Sequence, residues 1–304
     1  MIRIKIPYGG VTPDQMEELA NISEEYSVNV IHITTRQDFQ MHYLHMDTIP
    51  DVMYRLAGVG ITTREACGNS VRNVTGCPYA GVCRTEAFDV TPYASICAQF
   101  LLGHEDCQDF GRKFKIAFSG CEENPCALVA MHDMGAIARV RDGKRGFGLY
   151  VGGGLGAVPH QAKELYEFLP QAELLKVSVA ICRVFARLGE KKNRARARIK
   201  FLVQKLGIDE FKRLVEEELA ILPHDGRWTG LLKDVDSYSE TPLKQPMSLN
   251  GADRPDGFDD WYTTNVYRQK QDGYVGITVR LPLGDLSAWQ LRQLADVCRK
   301  YCGD

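Results

Sequence analysis

No apolar run in this sequence approaches the roughly 18 residues that a bilayer-spanning helix needs. No charge of one sign dominates either: 37 Lys+Arg stand against 39 Asp+Glu, a net charge of −2. The first absence excludes a transmembrane helix, and the second excludes the strongly basic profile of a general nucleic-acid binder. A signal-peptide hydrophobic stretch is missing as well, because residues 1–20 go straight into patterned structure. Together these absences predict a cytoplasmic protein with no membrane and no nucleic-acid partner. The 304 residues, 44% hydrophobic and 25% charged, suffice for two domains or one large one.

What the sequence has in excess is cysteine, with ten residues at positions 67, 77, 83, 97, 107, 121, 126, 182, 298 and 302. Nothing indicates secretion, so disulfides are not expected, and clustered thiols point instead to metal binding or to buried free cysteine. Spacing singles out two pairs, Cys77-x5-Cys83 and Cys121-x4-Cys126. The first, CPYAGVC, has Pro and Gly between its thiols, so the loop can curl. The second, CEENPC, follows Ser119-Gly120 at an expected strand end. Four thiolates converging from two loops suit an iron–sulfur cluster, a structural four-cysteine zinc site, or a set of unligated thiols. The other cysteines read mostly as core, with Cys67 close enough to Cys77 to serve as a spare ligand.

The chain opens on a strand, with Ile2, Ile4 and Ile6 alternating with Arg3 and Lys5. Pro7, Gly9 and Gly10 break it, and a helix follows from Pro13 with Met16, Leu19 and Ala20 on one face. Strands over 28–34 and 39–44 and a short helix near 50–57 complete a β-α-β-β-α order of split-βαβ, ferredoxin-like type. From about residue 64 the texture becomes mixed α/β, with buried strands over 114–118 and 147–151. Residues 161–220 read as helical throughout. Residues 221–260, rich in Pro, Asp and Gly, read as an aperiodic linker.

An internal repeat follows. Residues 277–295 (ITVRLPLGDLSAWQLRQLA) restate residues 2–20 (IRIKIPYGGVTPDQMEELA) at a constant offset of 275, Pro7 matching Pro282 and Gly9 matching Gly284. The expected division is 1–63 for a first ferredoxin-like half-domain, 64–230 for a mixed α/β domain, and 231–260 for a linker. Residues 261–304 are expected to begin a second, incomplete half-domain. The copy breaks off one strand and one helix in, which reads as the first half of a duplicated protein, truncated or completed by another chain.

A cationic set flanks the cysteine pairs: Arg36, Arg72, Arg112, Lys113 and Lys115. Lys113 and Lys115 alternate with Phe114 and share one side of a strand, where like charges call for an anion or a carboxylate between them, or else a solvated face. Residues 190–200 (EKKNRARARIK) read as a basic helix on which Arg194 stacks over Arg198. Its partner is solvent or an anionic cofactor. Gly153 and Gly154 lie in a glycine run that lacks the dinucleotide spacing. His42 and His132, in or beside strands, read as core residues outside the site.

Taken in order, RQDFQMH (36–42), NSVRNVTGCP (69–78), RKFKIAFSGC (112–121), HDMGAIARV…GFGLYVGGGLG (132–156) and NRARARIKFLV (193–203) resemble the siroheme-dependent nitrite and sulfite reductases along nearly the whole chain. The resemblance implies an α+β protein in which ferredoxin-like half-domains flank a mixed α/β siroheme and 4Fe–4S domain. It implies an oxidoreductase that carries out the six-electron reduction of sulfite to sulfide or nitrite to ammonia. It assigns the substrate cage to Arg36, Arg72, Lys113 and Lys115, and siroheme contacts to Arg112, Asn73, Gly153, Gly154, Arg194 and Arg198. A cluster in this half would fall to Cys77, Cys83, Cys121 and Cys126, the quartet that spacing singles out. Well-known members carry their ligands as Cys-x5-Cys and Cys-x3-Cys in the second half. Here the first half has its own quartet, a working site or a relic of duplication. The resemblance also implies an external electron donor, ferredoxin or a flavoprotein, and a second half or partner subunit. Lys113-Phe114-Lys115 is the sulfite-like form of the cage strand. The readings from other classes are an electron-transfer or assembly half-subunit that holds a cluster without turnover, and a structural zinc module.

Overall fold

The computed structural model describes residues 1–238, 242, 244–246 and 253–302. From the N-terminus run β1 (Ile2–Ile4), α1 (Pro13–Tyr26), β2 (Val30–Ile33), β3 (Phe39–Met41) and α2 (Ile49–Gly58). The chain continues through β4 (Val71–Gly76), α3 (Thr91–Leu101), β5 (Phe114–Ser119), β6 (Met134–Arg141), β7 (Lys144–Val151) and β8 (Lys163–Pro170). Helices α4 (Leu174–Leu188), α5 (Ile199–Leu206), α6 (Ile208–Ile221), α7 (Arg227–Ser237) and α8 (Phe258–Asn265) follow. A hairpin of β9 (Val266–Arg268) and β10 (Val275–Ile277) leads to β11 (Asp285–Ser287) and α9 (Ala288–Tyr301). The fold is α+β, as expected.

Two sheets organise these elements. The smaller is antiparallel in the order β1-β3-β2-β11 and packs α1, α2 and α9 over a core that includes Ile4, Leu19, Ile31, Met41, Leu56 and Leu291. The larger runs β4-β5-β6-β7-β8, parallel between β4, β5 and β6 and antiparallel beyond. Its parallel strands need crossover connections, which α3 supplies between β4 and β5. Phe114, Phe118 and Phe147 from the sheet meet Tyr93 and Phe185 from the helices in its core.

The internal repeat is visible in the backbone. Tyr8 (φ 49°, ψ 9°) and Leu283 (φ 57°, ψ 6°) hold the same left-handed conformation in the turns Pro7–Gly9 and Pro282–Gly284. Each following helix starts with a reciprocal capping box, Thr12 with Gln15 and Ser287 with Gln290. The second copy does not stand apart, because β11 pairs with β2 and α9 packs along α1. The copies differ in what covers their strands. Ile2, Ile4 and Ile6 are buried, whereas Ile277 and Val279 are exposed.

Three expected elements are corrected. Residues 161–220 are not helical throughout: β8 closes the larger sheet against β7, burying Leu165 and Leu169. The basic stretch 190–200 forms a loop up to Arg198, so the Arg194-over-Arg198 stack is not made. Gly189 ends α4, Glu190 Oε1 accepts from the backbone N–H groups of Lys192 and Asn193, and Asn193 Oδ1 accepts from that of Ala195. These local side-chain acceptors compete with the helix for the same donors. Within 221–260, Arg227–Ser237 and the start of α8 are helical, and residues 239–241, 243 and 247–252 of the expected linker lie outside the described residues.

Candidate functional site

Strand β5 places Lys113 just before its start and Lys115 within it, with Phe114 between them turned into the core. Arg36 reaches the same region from the tight turn between β2 and β3, where the Thr34 hydroxyl accepts from the backbone N–H groups of Arg36 and Asp38. Its guanidinium donates to Thr75 Oγ1 and Ile116 O at 3.3 Å and to Asn73 O, tying the small sheet to β4 and β5. Arg72, on β4, turns back to donate to Gly68 O and Ala66 O. Asn73 is wholly buried, and its Nδ2 donates to Ile6 O at 2.6 Å and Arg36 O at 3.1 Å. Its Oδ1 has no partner among the described residues.

Arg198 completes the cluster from the residue preceding α5 and is anchored by Asp133. The Asp133 carboxylate also accepts from the backbone N–H of Lys115 at 2.8 Å. Among the described residues no carboxylate lies within salt-bridge distance of the Lys113 or Lys115 ammonium. The electrostatic consequence is direct. Burial, then Arg36, Arg198 and Lys113, lowers Lys115 to about 8, and burial, then Arg198, Arg72 and Arg112, lowers Lys113. Burial lowers Arg36 to about 10. Five cations thus crowd around the buried acid Asp133, with a second buried acid, Asp38, beside Arg36, and the surplus of positive charge favours an anion.

The structure therefore brings Arg36, Arg72, Lys113, Lys115, Arg198 and Asn73 together, with Arg112 near enough to act on Lys113. Gly153 and Gly154 flank them: a Cβ on Gly154 would stand 3.3 Å from Arg198 Nη2, and one on Gly153 would strike the carbonyls of Ala130 and His132. Arg194 is not brought in. It stands exposed in the loop, with no hydrogen bond to any of these residues.

Two members escaped the sequence reading. His132 is buried against Arg36, not part of an apolar core. Its Nδ1 faces Leu128 O at 2.8 Å, which only accepts, so Nδ1 carries the proton and Nε2 accepts from Arg36. Burial and Arg36 hold its pKa down to about 3. Asp133 beside it was also missed. The signal was a His-Asp pair immediately before a strand, too common to weigh alone. His42 is exposed and stays outside the site.

The four cysteines converge for a topological reason. β4 and β5 are adjacent and parallel, and Cys77 and Cys121 follow their C-terminal ends, with Cys77 N–H donating to Phe118 O at 3.0 Å. Cys83 Sγ and Cys121 Sγ are 3.4 Å apart, the Thr85 hydroxyl lies 3.4 Å from each, and Cys77 meets Cys126. Burial drives the Cys77 thiol up to about 12 and Cys121 to about 11, whereas at Cys83 burial is outweighed by hydrogen bonds from Thr85, Tyr267 and Cys121, which lower it; a bound metal's charge would favour the thiolate at each. Two loops delivering four soft sulfur donors to one spot suit an iron–sulfur cluster in donor type and number. Among the described residues no three His, Cys, Asp or Glu side chains are arranged for a single metal ion. Cys67 is exposed and joins none of these contacts.

Comparison with known proteins gives a consistent picture. The family model of the nitrite and sulphite reductase 4Fe-4S domain matches residues 67–222, and that of the nitrite/sulfite reductase ferredoxin-like half domain matches 1–59 and 267–304. The sulfite reductase [ferredoxin] of Mycobacterium tuberculosis is 30% identical over 258 residues, 84% of this chain and 44% of that protein. The assimilatory ferredoxin-dependent nitrite reductase of Haloferax mediterranei is 30% identical over 322 residues, 99% of this chain and 52% of that protein. The solved structure of the Mycobacterium tuberculosis NirA protein superposes with a TM-score of 0.79 at 28% identity, covering 98% of this chain and 50% of that one. The chain spans about half the length of the curated relatives it matches.

Proposed function

The chain belongs to the nitrite and sulphite reductase family, and we propose that it forms one half of a unit that reduces a small oxyanion by six electrons. Sulfite is the preferred substrate. The observation that carries this reading is the half-buried cation surplus of Arg36, Arg72, Lys113, Lys115 and Arg198, with Asp133 as their one ion-paired acid among the described residues, gathered around β4 and β5, the strands whose C-terminal ends lead to Cys77 and Cys121. When bound, siroheme supplies the iron that takes the oxyanion and a 4Fe–4S cluster supplies electrons. Arg112, Arg198 and Gly154 would hold the carboxylate-rich macrocycle, with Asn73 and Gly153, both packed against backbone carbonyls, supporting the site from behind, and Cys77, Cys83, Cys121 and Cys126 would hold the cluster.

The chain's own residues do the rest. Lys113 and Lys115 present mobile positive charge to the anion, while Arg36 and Arg72, fixed by backbone carbonyls, keep the local potential positive. Lys115, lowered to about 8, gives up a proton from Nζ near neutral pH more readily than an ordinary lysine, which suits a reaction that consumes protons. Residues 64–230 form the cofactor domain in this reading.

The half-unit reading rests on the repeat. The Pro7–Gly9 turn seats β4 and α3, with Tyr8 against Gly76. The Pro282–Gly284 turn keeps the same left-handed backbone, yet Leu283 is 90% exposed. A residue held in that strained conformation and facing solvent fits a seat for a second domain like 64–230. Relatives named for ferredoxin support ferredoxin as the external donor. The test is to express the chain in a siroheme-producing host with and without a complementary half. The expected result is weak siroheme retention alone, and a strong Soret band with sulfide formation from reduced methyl viologen once the second half is present. Stoichiometric siroheme on the monomeric chain would overturn the half-unit reading.

A further inference from the structure

The hairpin β9–β10 lies far from the cysteines in sequence, yet it straps the loop that carries the first pair. Lys270 N–H donates to Val82 O at 3.0 Å, Gln271 Nε2 to Gly81 O at 2.8 Å, and Arg84 Nη1 to Gln269 O at 3.0 Å. Lys270 Nζ pairs at 2.7 Å with Glu86, whose side chain is only 2% exposed and which also accepts from Gly81 N–H. These contacts set one aromatic ring over the thiols. The Tyr267 ring stacks on Tyr79 with centroids 4.5 Å apart, and its hydroxyl lies 3.7 Å from Cys83 Sγ.

The orientation of that hydroxyl follows from its neighbours. It accepts the backbone N–H of Arg84 at 3.0 Å, which occupies a lone pair and leaves its own proton to donate. Cys83 Sγ is the acceptor in reach. We propose that Tyr267 is a positioning residue that hydrogen-bonds the Cys83 sulfur and sets the reduction potential of the group this quartet holds. This rests on the reading that the quartet ligates a 4Fe–4S cluster. The physical basis is general: a hydrogen bond to a ligand sulfur stabilises the more negative, reduced cluster, and such bonds are among the protein's levers on cluster potential. The hairpin thus acts on the cluster through one O–H group, while its other contacts hold the strap in place.

The experiment uses the full chain, reconstituted anaerobically with iron and sulfide, and compares wild type with Tyr267→Phe and Lys270→Ala. Iron and sulfide are counted first, and then the cluster is titrated with dithionite and mediators and followed by electron paramagnetic resonance. Tyr267→Phe is expected to keep its iron yet shift to a more negative potential, with at least a threefold smaller reduced-to-oxidised ratio at fixed potential. An exchangeable proton coupled to the reduced cluster, detected after transfer to D2O, should disappear with it. Lys270→Ala loosens the strap but keeps the Tyr267 hydroxyl, so it should retain the exchangeable proton coupling and shift the potential less than Tyr267→Phe does. An unmoved potential in Tyr267→Phe, a retained proton coupling, or an equal shift in Lys270→Ala overturns the tyrosine inference alone. Absence of iron from wild type overturns the cluster reading beneath it. Should Tyr267→Phe lose its iron while Lys270→Ala loses as much, Tyr267 is a strap residue and the inference fails.

Discussion

Arg198 and Asp133 form a two-pronged ion pair: Nε–H donates to Oδ1 at 2.9 Å and Nη2–H to Oδ2 at 2.7 Å, with the carboxylate side chain fully buried. Because Asp133 also accepts from the Lys115 backbone, the pair fixes the start of α5 against β5 and β6. It is therefore the framework on which the other cations are arranged.

Removing one partner of such a pair leaves an uncompensated buried charge. Asp133→Asn is expected to destabilise the chain by roughly 3–5 kcal/mol. The double change Asp133→Leu with Arg198→Met should cost less, since no charge is stranded. Urea denaturation of the three proteins tests this. A loss below about 1 kcal/mol in Asp133→Asn would show that the pair does not anchor the site.

His132 makes acid stability a property of the site. Its pKa is about 3 in the folded chain against an ordinary value near 6.5. Between those values the unfolded chain binds a proton that the folded chain refuses, so stability falls as pH drops from about 6.5 toward 3. His132→Gln keeps an acceptor for Arg36 but has no proton to take up. Stability measured across that window should fall less steeply in the variant, and an unchanged slope would remove His132 from the account.

Much of this was legible in the sequence because period and turn chemistry are local. Ile2, Ile4 and Ile6 announce a strand, and Pro7 and Gly9 the turn. The offset of 275 announces a second copy whose backbone repeats the first. Lys113 and Lys115 could be placed on one face from alternation alone. The Arg194–Arg198 helix failed because local acceptors, Glu190 and Asn193, outcompeted a propensity that carries little weight by itself. β8 was read as helix because a strand on the sheet's outer edge, half exposed, shows no clean period. His132 and Asp133 stayed hidden because their meaning comes from β2–β3, β5 and α5 meeting around them. No local pattern encodes that meeting.

The cysteine quartet makes a separate, countable prediction. Cys83→Ser and Cys121→Ser, which disrupt the 3.4 Å Sγ–Sγ contact, should each drop bound iron from about four per chain to below one after reconstitution. Cys298→Ser, on α9 away from the quartet, should leave the count unchanged. If all three variants keep their iron, the cluster is held elsewhere or the quartet is unligated.

The proposed preference for sulfite turns on Lys115. Sulfite at neutral pH is a mixture of monoanion and dianion with three pyramidal oxygens, whereas nitrite is a bent monoanion with two. An additional cation therefore favours sulfite, and the crowding that lowers Lys115 to about 8 makes it a proton source as well. Lys115→Asn would keep a hydrogen-bond donor at the same place on β5 while deleting both the charge and the transferable proton. With Arg36, Arg198 and Lys113 still in place, nitrite should bind nearly as before, while sulfite loses the interaction that answers its second charge. In the enzyme assembled with its complementary half, and with reduced methyl viologen as common donor, the ratio of sulfite to nitrite kcat/KM should fall about tenfold, some 1.4 kcal/mol of differential stabilisation. The pH profile supplies an independent readout: a limb near pH 8 in the sulfite reaction should vanish in the variant. A ratio that stays flat or rises would mean that Lys115 does not discriminate between the anions, and the preference for sulfite would lose its physical basis in this chain.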